Sequence, residues 1–157
     1  MSVSTCLWYV DEAEKAANFY VSLIPNSKVG RITRYPSDNR EASVGGVLTV
    51  EFKLNGQAFF GLNGGEPAQY THAMSVSVVC EDQAEVDRIW DALLDGGEAV
   101  QCGWIKDRWG VNWQIIPKVL NEAIGSSDRA AAQRAFQAMM TMVKIDAAAI
   151  EKALRGE

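Results

Sequence analysis

The sequence predicts an α+β fold of two βαβββ modules followed by a C-terminal helical tail. Three observations lead there. A strand-like apolar run followed by an amphipathic helical pattern occurs twice, over residues 4–24 and 73–94. Each helical pattern opens on an acidic pair at capping spacing, Asp11 with Glu14 and Asp82 with Glu85. Shorter alternating runs, punctuated by glycine and asparagine, follow each helix. The expected division is module one at 1–65, module two at 70–117 and the tail at 118–157, within a single domain 1–157.

In the first module, residues 4–10 read as a strand. Ala13, Ala16, Ala17, Tyr20, Leu23 and Ile24 recur at helical spacing, so residues 12–24 form a helix that Pro25-Asn26 ends. A strand over 28–35 comes next, then a polar stretch, 36–46, rich in turn formers. Residues 47–54 and 57–63 flank Asn55-Gly56, the strongest short-range hairpin signal.

After Gly64-Gly65 the order repeats: a strand over 73–80, then a helix marked by Val86, Ile89, Trp90, Leu93 and Leu94, closed by Gly96-Gly97. Short strands over 98–101 and 103–106 and a last one over 111–116 complete the unit. An offset of 70 sets Thr5 on Ser75, Tyr20 on Trp90 and Leu23 on Leu93. The caps are offset by one more, which reads as a local insertion. The hairpin needs an offset of 54, the difference being close to the length of the polar loop in module one. In the tail, Phe136, Met139, Met140 and Val143 share a helical face, and Asp146 caps a short helix presenting Ile150 and Leu154.

Composition narrows the function. The net charge of -5 argues against a nucleic-acid partner, since nothing here neutralises a run of phosphates. No apolar stretch approaches the roughly 20 residues of a membrane span. No secretory pattern opens the chain, so no membrane partner and a cytoplasmic location are expected. The three cysteines show no CxxC or CxxH spacing, and Cys6 and Cys80 read as small core residues.

Alternation within the strands points to a site. Val76, Val78 and Cys80 face the helices, and Ser75, Ser77 and Val79 face away. By the offset of 70, Cys6, Trp8 and Val10 lie helix-side, with Thr5, Leu7 and Tyr9 opposite. Trp113 and Ile115 match the helix side, while Asn112 and Gln114 share the other. A concave face lined by hydroxyls and amides results, on which Tyr9, Phe60 and Trp104 offer stacking surfaces. The expected ligand pocket is Thr5, Leu7, Tyr9, Phe60, Ser75, Ser77, Trp104 and Gln114. No catalytic residue is assigned. Glu51 and Asp107 read as surface charges, Lys106-Asp107-Arg108 as a solvated turn, and His72 as a loop residue.

Asn18-Phe19-Tyr20, the run Phe59-Phe60-Gly61-Leu62-Asn63-Gly64-Gly65, and Lys106-Asp107-Arg108-Trp109-Gly110-Val111-Asn112-Trp113-Gln114-Ile115 resemble the PhnB-like branch of the vicinal oxygen chelate superfamily. Glyoxalases, bleomycin-resistance proteins and ring-cleavage dioxygenases share that superfamily. Similarity is closest to proteins labelled 3-demethylubiquinone-9 3-methyltransferase, and it extends over essentially the whole chain, including Met139-Met140 and Lys144-Ile145-Asp146. The resemblance implies a glyoxalase-like incomplete barrel of two curled sheets and a homodimer. It also implies a divalent metal held at four strand positions, which here are Thr5, Phe60, Ser75 and Gln114. None is a His, Asp or Glu, so no metal is expected. The glycine pairs 45–46, 64–65 and 96–97 do not stand between a strand and a helix as an S-adenosylmethionine cradle requires, so no cofactor is expected. The leading expectation is a metal-independent binder of a small molecule. An enzyme on the same scaffold, metal-dependent through non-standard ligands or performing the methyl transfer of the label, is the alternative. A structural dimer with a vestigial cavity is the third.

Overall fold

The structure, a computed structural model, describes residues 1–36 and 45–157. Most of the polar segment 36–46 lies outside the described residues. The chain divides into two compact units, Met1–Gln69 and Tyr70–Glu157.

Unit one runs β1 (Thr5–Tyr9), α1 (Ala13–Leu23), β2 (Lys28–Arg34), β3 (Val47–Leu54) and β4 (Gln57–Asn63). Its open sheet has the order β1-β4-β3-β2, with β1 parallel to β4 and the other pairs antiparallel. Helix α1 forms because its apolar positions fall on one stripe: Ala13, Ala16, Ala17, Tyr20 and Leu23 are all buried. That stripe packs on Leu7, Tyr9, Val50, Phe52 and Phe59, with Phe52 and Phe59 stacked at 5.4 Å. Close approach is possible because β4 carries Gly61 beneath the helix, where a β-carbon would lie 3.0 Å from that of Ala13. The hairpin turn is the expected one, with Asn55 at φ 44° and Gly56 at φ 90°.

The expected cap of α1 does not form. Glu12 occupies the N-cap and makes no side-chain capping bond. Buried Asn63 does the work from across the sheet: its Oδ1 accepts from the Ala13 N–H at 2.9 Å, and its Nδ2 donates to the Val47 carbonyl at 3.1 Å.

Unit two runs β5 (Val76–Cys80), α2 (Gln83–Leu94), β6 (Glu98–Ala99), β7 (Trp104–Lys106) and β8 (Asn112–Pro117), then α3 (Lys118–Ile124), α4 (Arg129–Met139) and α5 (Ala147–Arg155). Its open sheet repeats the connectivity as β5-β8-β7-β6. Here the Asp82 cap does form, and Glu85 reaches back one residue beyond the N-cap, to Glu81. Asp82 Oδ1 accepts from the Glu85 N–H at 2.9 Å, and Glu85 Oε2 accepts from the Glu81 N–H at 2.9 Å. Val86, Ile89, Trp90 and Leu93 of α2 lie against Ile105, Trp113 and Ile115, all buried.

Asp107 is a correction. It is not a surface charge but 3% exposed. Its Oδ1 accepts from the backbone N–H of Trp109 at 2.9 Å and of Val111 at 3.0 Å, and its Oδ2 from the Trp113 indole at 3.0 Å. One carboxylate thereby holds the β7–β8 turn and anchors the fully buried Trp113 ring. Its neighbours do behave as solvated charges: Arg108 pairs with Asp95 at 2.7 Å and Lys106 with Glu98 at 3.6 Å.

Three helices of the tail enclose a cluster of Leu120, Ala123, Ala135, Ile145 and Ile150. As expected, Asp146 caps α5, accepting from the Ala149 N–H at 3.1 Å, and Ile150 and Leu154 point into the cluster. The expected Phe136–Met139–Met140–Val143 stripe is split. Met139 packs on the cluster, whereas Phe136, Met140 and Val143 are about half exposed. The tail is fixed to its own sheet by the N–H groups of Cys102 and Gly103, which donate to the carbonyls of Met142 and Val143 at 2.9 and 2.8 Å. Lys144 adds ion pairs to Asp87 at 2.9 Å and Asp91 at 3.5 Å. Its hydrogen bond holds the Asp87 carboxyl below the usual range and pushes the Lys144 ammonium above its own.

The thiols differ from expectation in one case. Cys80 is fully buried, and burial, reinforced by Glu85, pushes its pKa up to about 12. Cys6 is exposed rather than in the core. At pH 8 a maleimide is therefore expected to modify Cys6 in the native protein and Cys80 only on unfolding, read by peptide mass mapping. Labelling of both at similar native rates contradicts this burial.

Candidate functional site

Each sheet has one face covered by its helix and one turned away from it, and the second is where a ligand can reach the strands. In unit two the alternation runs as expected. Val76 and Val78 are half-buried and Cys80 buried on the helix side, while Ser77 and Val79 are exposed on the other. Register places Ser77 beside Gln114, and Trp104 also beside Gln114. Gln114 Nε2 donates to Ser75 Oγ at 2.7 Å. Ser75, Ser77, Trp104 and Gln114 thus share one neutral, hydrogen-bonding face with an aromatic wall. Asn112 lies on this side too, but its side chain is buried and donates to the Thr71 carbonyl at 3.0 Å.

Unit one departs from expectation. Leu7 and Tyr9 are each only 4% exposed, and the Tyr9 hydroxyl donates to that of Tyr20 on α1 at 3.2 Å. They lie under the helix with Thr5, while Cys6, Trp8 and Val10 face away and are exposed. The cause is a single residue of register. Thr5 pairs with Phe59 and Val76 with Trp113, so with Phe59 and Trp113 equivalent, β1 matches β5 at an offset of 71 rather than 70. This is also the offset of Asp11 and Asp82. Because side chains alternate, a slip of one exchanges the two faces. Cys6 is the counterpart of Ser77, and Ser4 of Ser75. Of the expected pocket, Phe60, Ser75, Ser77, Trp104 and Gln114 reach the faces turned from the helices; Thr5, Leu7 and Tyr9 do not.

The unit-one face carries a groove of about 480 Å³ lined by Ser4, Lys28, Thr49, Glu51, Lys53 and Phe60, among others. Glu51 is engaged by Arg31, whose Nε and a terminal nitrogen donate to its Oε1 at 3.1 and 2.6 Å. Ser4, Lys28 and Lys53 were missed at the sequence level. The equal offset of the two caps was the signal that could have found Ser4. For the lysines, the polar loop hides the strand pairing.

The donor set does not fit the metal that the superfamily implies. Phe60 offers no lone pair, and Ser75 and Gln114 offer only one neutral hydroxyl and one amide oxygen, both poor ligands for the usual divalent site. Ser4, in place of Thr5, adds only a neutral hydroxyl. Among the described residues no three His, Cys, Asp or Glu are grouped to hold an ion. Nor do the residues fit a common S-adenosylmethionine cradle. The β1–α1 connection is Val10-Asp11-Glu12 and the β5–α2 connection Glu81-Asp82, acidic and without glycine.

The family model described as 3-demethylubiquinone-9 3-methyltransferase matches residues 1–116. The chain belongs to this family. The match ends in β8 and does not include the tail, over which the likeness was expected to continue. A PhnB protein from Bacillus cereus, itself named for 3-demethylubiquinone-9 3-methyltransferase, is 32% identical; the match covers 74% of this chain and 99% of that one, with a TM-score of 0.65. Protein PA1353 from Pseudomonas aeruginosa is 15% identical over 74% of this chain and 97% of its own, with a TM-score of 0.61. A glyoxalase/bleomycin resistance protein from Albidiferax ferrireducens T118 is 13% identical over 73% and 96%, with a TM-score of 0.48. No curated protein matches the chain. Two βαβββ sheets, each open at its edges, accord with the PhnB likeness.

Proposed function

We propose that this family member is a metal-independent binder of a small, partly apolar molecule. The observation that carries the reading is the groove of about 480 Å³ in unit one, where the superfamily's metal positions hold Phe60, which has no lone pair, and Ser4, a neutral hydroxyl. The volume lies within the roughly 300–1,000 Å³ typical of small-molecule sites. Phe60 supplies a stacking surface in unit one; unit two by itself carries a neutral, hydrogen-bonding face of Ser75, Ser77, Trp104 and Gln114. The reading takes the chain as a cytoplasmic homodimer with no nucleic-acid or membrane partner. The net charge of -5 supports the former exclusion, and among the described residues no helix is long and apolar enough to cross a membrane.

A ligand-observed NMR screen of small aromatic and alkyl compounds tests it. Hits are expected, and Phe60→Ala is expected to weaken them about ten-fold by removing the stacking ring. Hits indifferent to Phe60→Ala, or no hits at all, contradict it.

The family description favours a second reading, methyl transfer on the same scaffold. A stoichiometric complex with S-adenosylmethionine, read by calorimetry, is the result that would establish it over the first.

A further inference from the structure

Resting on the binding reading, we infer that the groove of unit one selects a carboxylate carried on an aromatic body, its anionic end held between Lys28 and Lys53. Antiparallel pairing of β2 and β3 sets Lys28 directly opposite Lys53. Like charges directly opposite one another across strands repel and destabilise the sheet. Both lysines are exposed, and both line the groove. Among the described residues neither has an ion pair or a hydrogen bond to a side chain, and the uncharged Ala58 flanks Lys53 on β4.

The rest of the same face is arranged differently. Two residues along β3 from Lys53, Glu51 is neutralised by Arg31 at 2.6 Å. So the groove's only carboxylate among the described residues is engaged, and the lysine pair is left as its uncompensated charge. This occurs in a chain whose net charge is -5, where nearby acids could readily have been placed opposite a lysine. Phe60 and Ala58 form the apolar floor beside the lysines, and Ser4 adds a hydroxyl. A ligand that matches has one negative group toward Lys28 and Lys53 and a flat apolar part over Phe60. A bound anion also removes the repulsion that the sheet otherwise bears.

The probes are 2-naphthoate and its neutral counterpart 2-naphthamide, titrated by NMR into the full chain. Naphthoate is expected to bind more tightly, by about five-fold or more, and to weaken as salt rises while naphthamide does not. Lys28→Gln and Lys53→Gln are each expected to lower naphthoate affinity about three- to five-fold and leave naphthamide unchanged. Lys53→Glu provides a check independent of folding losses. It replaces the repulsion with a cross-strand ion pair, so Tm is expected to rise by about 1–3 °C while naphthoate preference disappears. Equal binding of the two probes, both weakened by Phe60→Ala, overturns the anion preference and leaves the binding reading intact. Binding of neither probe to the wild type at millimolar concentration overturns this inference. If the wider ligand screen is also empty, it overturns the reading beneath it.

Discussion

Replacing Asp107 by alanine is expected to lower the stability of unit two by about 3–5 kcal/mol. The carboxylate is buried and accepts from two backbone N–H groups and the Trp113 indole. Removing it strands three donors away from water, and each orphaned donor costs about 1–3 kcal/mol before any relaxation. Asp107→Asn should fall between. Its oxygen can serve the Trp109 and Val111 amides, but its NH2 then meets the indole N–H, a donor facing a donor. A loss of about 2 kcal/mol is expected. Urea unfolding monitored by tryptophan fluorescence measures both, with unit two followed through Trp113. A change below about 1 kcal/mol for the alanine variant would mean that the turn is held by its backbone hydrogen bonds alone.

Gly97→Ala is expected to be nearly as damaging, at about 3 kcal/mol or more, for a steric reason. A β-carbon at Gly97 would stand 2.3 Å from the Leu93 carbonyl oxygen and 2.4 Å from that of Lys106. Both are backbone atoms, one in the last turn of α2 and one at the end of β7, so neither can turn aside as a side chain would. Gly96 next door makes the internal comparison. It has φ +76°, and its β-carbon would meet only the Arg108 side chain, the β-carbon at 3.2 Å and Nε at 3.8 Å. Gly96→Ala therefore carries mainly the conformational cost of a left-handed residue, about 1–2 kcal/mol. Thermal unfolding of the two variants should rank Gly97→Ala well below Gly96→Ala. The reverse order contradicts the packing of α2 on β7.

How far the sequence could lead depended on the range of each interaction. Local signals carried through. Asn55-Gly56 made the expected hairpin, Asp82 with Glu85 and Asp146 capped their helices, and the apolar stripes of α1 and α2 faced their sheets. Signals that needed a distant partner did not. Asp11 and Asp82 look alike in sequence, yet the amide at the start of α1 is taken by Asn63, fifty residues away. Asp107 looked like one charge in a solvated turn because its indole partner joins it only when β8 pairs with β7.

The candidate site was half legible for a related reason. Period-two alternation sorts a strand into two faces but does not say which face meets the helix. In β5 the all-apolar set settled the matter, because Val76, Val78 and Cys80 could go only one way. In β1 both sets hold large apolar residues, Cys6, Trp8 and Val10 against Leu7 and Tyr9, so the assignment hung on the repeat offset. The helices repeat at 70 but β1 and β5 at 71, and the first value was carried into those strands. That difference of one removed Thr5, Leu7 and Tyr9 from the accessible face and brought Ser4 and Cys6 to it.

Native mass spectrometry of the purified chain, combined with elemental analysis, bears most directly on the central claim of metal-independent binding. Spectra would be taken before and after addition of zinc, nickel and manganese, and then with 2-naphthoate. The expected result is a chain that takes up none of the three metals yet gains one naphthoate, bound about ten-fold more weakly in Phe60→Ala. One tightly held divalent ion per chain, retained through chelator exchange, would contradict it and make the chain a metalloprotein with ligands outside the Ser4, Phe60, Ser75 and Gln114 positions.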